Sequence, residues 1–153
     1  MATRVRIDGL RELEKALAEL PKATGKNVLR RTLLKAGQPI ADDYEANVRR
    51  LTGTLAESAG VSTKLSRRQA SQHRKMFRDD KASAEVFAGA GALVQAITEE
   101  FGTDKQAPQG ALREAWDANK MSVLDTIKTE LGNEITKAAE RLARKAARQA
   151  AKG

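Results

Sequence analysis

A chain of 153 residues with only 3% aromatic side chains must build its core from Leu, Val, Ile and Ala. It has no cysteine, which excludes disulfides, thiolate metal sites and cysteine nucleophiles. No apolar run is long enough to span a bilayer or to act as a secretory signal, so no membrane contact is expected and the chain is expected in a cytoplasm-like compartment or packaged from one. The formal net charge of +8 is concentrated in two places. Residues 62–81 carry seven Lys/Arg against two Asp, and residues 137–153 carry six against one Glu. The remainder is close to neutral, so the excess charge points to polyanion contact rather than to general solubility.

The opening "RVRID" alternates as a short strand would, with Asp8 placed to cap a following helix. Leu10, Leu13, Leu17 and Leu20 then recur at spacings of three and four, one stripe of a short amphipathic helix that Pro21 ends. Pro21 to Gly25 reads as a turn with Thr24 as a cap, and a second helix is expected from about Lys26 to about Leu51. Its apolar face is Leu29, Leu33, Ala36, Ile40, Tyr44, Val48 and Leu51, and Pro39 inside it should kink it.

Gly53 breaks the helical period. Segments 57–65 and 83–89 read as two antiparallel strands, joined by a long, mobile, basic loop at 66–81 that has few apolar residues. "ALVQAITEEF" is compatible with a short helix. After a loop at 102–110, a third long helix carries a stripe of Trp116, Val123, Ile127, Leu131, Ile135, Ala138, Leu142 and Ala146, weakened at Gly132. Lys137, Arg141, Lys145, Arg148 and Lys152 occupy another face at the same period, so the cluster at 133–153 is a basic helical stripe. The expected fold is α+β, a single domain over residues 1–153. Long helices pack on a small antiparallel sheet that carries a long basic hairpin loop.

Chemistry needs convergent polar groups, and the sequence offers none. His73 is the one histidine, set among Gln72 and Arg74, and is expected on the surface. Asp42-Asp43 and Glu99-Glu100 are adjacent pairs, and neighbours in a helix point about 100° apart, so neither forms a converging dyad. "FAGAGAL" lacks the glycine spacing and lysine of a phosphate-binding loop. No enzyme, cofactor or metal site is expected.

The order of the segments carries more than any single motif. Val5-Arg6-Ile7-Asp8-Gly9-Leu10 with Leu13 is followed by a long helix with "KAGQPIADDY", then by Thr52-Gly53-Thr54-Leu55-Ala56-Glu57-Ser58. The basic segment follows, then Glu100-Phe101-Gly102-Thr103 and Ala111-Leu112-Arg113-Glu114-Ala115. This succession, over roughly residues 5 to 140, resembles the neck or tail-completion family of long-tailed bacteriophages and prophages, the gp-ten-like head–tail joining proteins. Gly110-Ala111 stands where that family usually has Pro-Phe, and Glu114 where it has a second proline.

The resemblance implies a non-enzymatic structural protein of the virion, located at the neck and made in the host cytoplasm. It would form a homo-oligomeric ring around the DNA channel, between head-completion (stopper) and tail-terminator rings. Lys64, Arg67, Arg68, Arg74, Lys75, Arg78, Lys137, Arg141, Lys145 and Arg148 are expected to meet DNA or an acidic partner, with phosphate neutralisation that weakens with salt. Asp104, Lys105, Gln106 and Gln109 are expected to meet a neighbouring subunit, with Phe101 as the apolar anchor. Gly102 should supply a positive φ, and Thr103 a hydrogen bond that fixes the turn. Within the monomer alone, the same residues would close a turn around a buried Phe101. The composition of "ERLARKAARQAAKG" also fits a nucleoid-type, non-specific DNA-binding protein.

Overall fold

The computed structural model describes residues 9–79 and 84–153. The expected strand at 4–8 with its Asp8 cap, and the part of the basic segment and second strand at 80–83, lie outside the described residues. In chain order the elements are α1 (Leu10–Ala18), α2 (Lys22–Asn47), α3 (Thr54–Glu57), β1 (Gly60–Ser62), α4 (Arg67–Met76), β2 (Phe87–Gly89), α5 (Val94–Phe101) and α6 (Ala111–Ala150). The fold is α+β and mostly helical, with a two-stranded antiparallel sheet.

The frame is an antiparallel pair, α2 on α6. Arg31 pairs with Glu134 at 3.1 Å and Lys35 with Glu130 at 2.8 Å, so four residues forward on α2 match four residues back on α6. Asn119 continues the register by donating to the Asp43 carboxylate. These partly exposed pairs set alignment more than stability, at about 0.2–1 kcal/mol each. Stability comes from two apolar clusters along the pair. In one, Ala36, Ile40 and Tyr44 of α2, with Val48 just past its end, meet Ala111, Ala115 and Val123 of α6, closed by Leu55 and Ala56 of α3. In the other, Val28 meets Leu131, Ile135 and Ala138, covered by Leu13, Leu17 and Leu20 of α1 and the turn after it. A fully buried Leu or Val side chain contributes about 1.5–3 kcal/mol, so these two clusters dominate the fold's energetics.

Leu13, Leu17 and Leu20 of the predicted stripe pack on the second cluster while Leu10 stays exposed, and α2 begins sooner than expected. Pro21 adopts φ −52, ψ 137 just before Lys22, and Pro21 O accepts from Gly25 N at 2.9 Å, so residues 22–25 are the helix's first turn and no separate turn precedes it. Proline's fixed φ and missing donor suit a helix start. The helical hydrogen-bonded run continues through Pro39 to Asn47. It stops four residues before the expected end, and Leu51 stands 85% exposed beyond it.

The strands are shorter than predicted. Their register is Gly60 opposite Gly89, Val61 opposite Ala88 and Ser62 opposite Phe87. Glu57, the first residue of the expected strand at 57–65, is instead the last residue of the short helix α3. The sheet lies on α2 at Gly37, where an added Cβ would come within 3.2 Å of Val61 Cγ1. The largest correction concerns the basic segment: residues 67–76 form a helix, not a loop. Ser66 accepts from Gln69 N at 3.3 Å while Gln69 Oε1 accepts from Ser66 N at 3.1 Å, a reciprocal capping box.

Candidate functional site

α4 carries Arg67, Arg68, Arg74 and Lys75, with Lys64 before it and Arg78 after it, and all six side chains are exposed. Arg74 and Lys75 lie in its last turn, where the helix dipole favours cations; Arg67 and Arg68 lie in the first turn, where it opposes them and no carboxylate compensates. The helix is held to the sheet through His73, whose ring lies 4.8 Å from that of Phe77 and meets the edge of Phe87 at 5.2 Å. His73 Nε2 also sits 3.7 Å from Glu85 Oε1. The histidine expected on the open surface is therefore a partly covered packing residue that the sheet positions.

The second predicted set also falls on one helix. Lys137, Arg141, Lys145 and Arg148 are exposed on α6, and Arg141 Nε donates to Lys137 O at 3.3 Å. Arg141 and Lys145 form one wall of a cleft of about 530 Å³ whose other wall is the start of α2, with Asn27, Arg30 and Arg31. The structure thus adds two arginines that linear spacing on α6 could not reveal. Only the antiparallel register of α2 on α6 brings them across. The two cationic regions do not merge. The α4 region leans on the sheet at the level of Gly37, whereas the cleft is lined on α2 by Thr24, Asn27, Arg30 and Arg31, about 9–20 Å earlier along the helix axis.

Between these regions, the Glu99–Trp116 stretch is a joint. The two glutamates diverge, as adjacent helical positions must. Glu100 turns toward α6, whose N-cap Gly110 offers no side chain, and accepts from Leu112 N at 2.9 Å and Arg113 N at 3.1 Å. This carboxylate satisfies two of the helix's orphan donors and lies at its positive end. Glu99 is buried; its Oε1 accepts from Gln106 Nε2 at 2.8 Å, and its Oε2 lies 3.9 Å from Arg49 Nε. Burial and then the carboxylates of Glu100 and Glu99 hold the Tyr44 phenol above its ordinary pKa.

Gly102 takes φ 76 as predicted. Thr103 pairs reciprocally with Gln106 through the backbone at 2.8 and 3.2 Å, and its hydroxyl accepts from Lys105 N at 3.3 Å. Gln109 spans to the end of α2, accepting from Arg49 N at 3.2 Å and donating to Asn47 O at 3.3 Å. The amides of Gln106 and Gln109 are thus engaged inside the chain, whereas Asp104 and Lys105 point outward at the tip.

Phe101 does not close this turn from within, because it is 67% exposed. Trp116, expected in the α6 core stripe, is 53% exposed, and its neighbour Ala115 takes the buried position against α2. Val94 and Ile97 are open as well. These four side chains line one wall of a groove of about 1310 Å³. α4 is the opposite wall, and Val61, Ala88 and Leu112 contribute to the floor.

Among the described residues, no group of three or more His, Cys, Asp or Glu side chains is placed to hold a metal ion. Among the same residues, no helix is long and apolar enough to cross a membrane. The arrangement offers surfaces: two cationic helices, a tied joint and an apolar groove.

Comparison with known proteins agrees with a structural role. No curated protein and no solved structure matches the chain. One family profile does, across residues 11–102, from α1 through α5 to the glycine of the joint; it is described as "Bacteriophage HK97-gp10, putative tail-component". The Ala111–Ala115 element and the rest of α6 lie beyond the matched span. The chain belongs to the HK97-gp10-like family, a family of phage structural proteins of the tail.

Proposed function

We propose that this protein completes the phage tail at the neck and joins it to the head, as one subunit of a ring around the DNA channel. Its partners are the head-completion and tail-terminator rings and further copies of itself. It is made in the host cytoplasm, where assembly takes place, and ends in the virion. It acts by binding and transforms no substrate. The observation that carries this reading is the family match over residues 11–102, joined to a surface rich in docking features. Exposed cations on α4 and α6 support contact with channel DNA or with acidic neighbours. Phe101, Asp104 and Lys105, all exposed, support a subunit contact at the joint; Gln106 and Gln109 act there by holding the tip in shape.

The experiment is deletion of the gene from a phage or inducible prophage that carries it. Filled heads and separate tails are the expected products, and complementation should restore joining. Fully tailed, infectious particles from the deletion would overturn the proposal. A nucleoid-type DNA-binding role is favoured by the cationic cleft between α2 and α6 alone. A salt titration on duplex DNA separates the two. A dedicated DNA binder shows tight binding with a steep salt slope in the free protein, whereas a neck protein associates with tails whether or not free duplex is present.

A further inference from the structure

We infer that the open groove between α4 and α5 seats an acidic, amphipathic helical segment of a partner protein. The inference concerns one face of the monomer, and it holds whether the assembly it serves is the neck or another part of the tail.

Size comes first. At about 1310 Å³ the groove exceeds the roughly 300–1,000 Å³ of ordinary small-molecule pockets. A helix about 10 Å across and about three turns long occupies roughly 1,270 Å³, so the space fits a short helix.

The chemistry of the walls comes second. Val94, Ile97 and Phe101 are 62%, 49% and 67% exposed and recur at spacings of three and four, so they form a stripe along α5, with Trp116 of α6 beside it at 53%. The opposite side of α5 already packs Ala96, partly buried, and Glu99, buried, against the chain. The open stripe is therefore surplus to the monomer's own packing. An apolar helical stripe left in water beside an apolar floor is the surface on which the apolar face of a second helix packs.

Charge then selects among occupants. Lys64, Arg67 and Arg68 flank the α4 side and Arg113 the α6 side, and among the described residues none of the four pairs with a carboxylate. Among the described residues, the one carboxylate lining the groove is Glu100, and it already accepts from Leu112 N and Arg113 N. A cationic rim around an apolar floor is complemented by a helix with leucine-like residues on one face and acidic residues flanking it. Duplex DNA fits poorly, because it would leave the apolar floor uncovered. A second copy of this chain fits poorly too. Its leucine helix α1 is already packed on α6, and the exposed end of α6 carries Lys145 and Arg148, which the rim repels.

Trp116 is the only tryptophan, so its emission reports on the groove directly. The probe is a designed peptide of about 18 residues, helical, with leucine at i, i+3, i+4 and i+7 and glutamate elsewhere. Its counterparts are the same peptide with lysine for glutamate, and a short DNA duplex. The acidic peptide should shift the emission to shorter wavelength in a saturable, salt-sensitive way, and the lysine peptide should not. Combined Arg67→Glu and Arg68→Glu substitution should weaken binding about tenfold. Val94→Asp, which puts an acid at a helix start where it is tolerated, should abolish binding while circular dichroism stays unchanged. The inference is overturned if the acidic peptide leaves the emission unmoved, or if the lysine peptide binds as well. It is also overturned if duplex DNA shifts the emission, or if Val94→Asp turns a self-associated species into monomer, which would give the groove to a second copy.

Discussion

Replacing Gly102 with alanine tests the joint at its tightest point. The residue holds φ 76 and ψ −178, a combination essentially confined to glycine. A Cβ there would stand 2.7 Å from Gln106 O, 2.8 Å from Pro108 N and 2.9 Å from Pro108 Cδ. Two of those atoms are backbone and the third belongs to a proline ring, so none yields by a rotamer change. The backbone conformation costs an L-residue about 1–3 kcal/mol, and relieving the overlap costs about 1–3 kcal/mol more. Alanine's smaller unfolded-state entropy returns about 0.4–1 kcal/mol. The net loss is about 3 kcal/mol, a fall of roughly 6–12 °C in Tm for a domain of this size. Gly110→Ala is the matched control: it lies eight residues on, with φ 67 and ψ 26, and has nothing within 4 Å of the new Cβ. It should lose only about 1 kcal/mol, since the left-handed conformation alone is strained. Urea and thermal unfolding followed by circular dichroism give both values. Equal losses for the two variants would refute the closed 102–108 turn.

Glu100→Ala should cost about 2 kcal/mol in urea unfolding, because it strips two charge-assisted bonds and a favourable charge from the start of α6, while Glu114→Ala, exposed on the same helix, should cost under about 0.5 kcal/mol; parity between them would contradict the capping role. Thr32 is buried and among the described residues its Oγ1 has no hydrogen-bond partner, so Thr32→Val should be neutral or stabilising by up to about 1 kcal/mol, and a clear loss would reveal a partner for the hydroxyl. Because the Tyr44 phenol is held above its ordinary value, its contribution is complete below pH about 10 and declines above it, where the unfolded chain ionises first. Tyr44→Phe should therefore lessen the fall in urea midpoint at alkaline pH, and parallel curves for the two proteins would exclude the linkage. Combined Lys137→Glu and Arg141→Glu substitution should reduce duplex binding and flatten its salt dependence, read by fluorescence anisotropy; an unchanged slope would remove α6 from any DNA contact.

Periodicity carried the frame of the fold. Ile40 and Tyr44 on α2, Val48 just beyond it, and Val123, Leu131, Ile135 and Ala138 on α6 are buried where their spacing put them. It misled where close approach outweighed side-chain size. Ala111 and Ala115 pack beside Ala36 in a cluster rich in small residues, and Trp116 next to them is turned outward. The same effect moved the deepest positions of early α2 from Leu29 and Leu33 to Val28 and Thr32, one residue round the helix. α4 escaped notice because it buries no residue fully, although Ser66 and Gln69 spell its start. The individual cations of the candidate surfaces were legible one helix at a time. Arg30 and Arg31 opposite Arg141, and the groove opposite Arg67, depend on contacts between elements that no local pattern encodes.

The end of α6 differs in kind from the rest of that helix. From Ala143 to Ala150 every residue is exposed, and only Lys145 borders the cleft with α2, so little packs on those two turns. They stay helical because the preceding segment has already met the cost of nucleation, and because alanine, arginine, lysine and glutamine propagate a helix well. Each further turn there sits near zero free energy, so the final 12 Å or so of the rod behaves as a fraying tip that amide exchange would find opening without global unfolding. An anion bound at Lys145 and Arg148 would lengthen the ordered part of the helix.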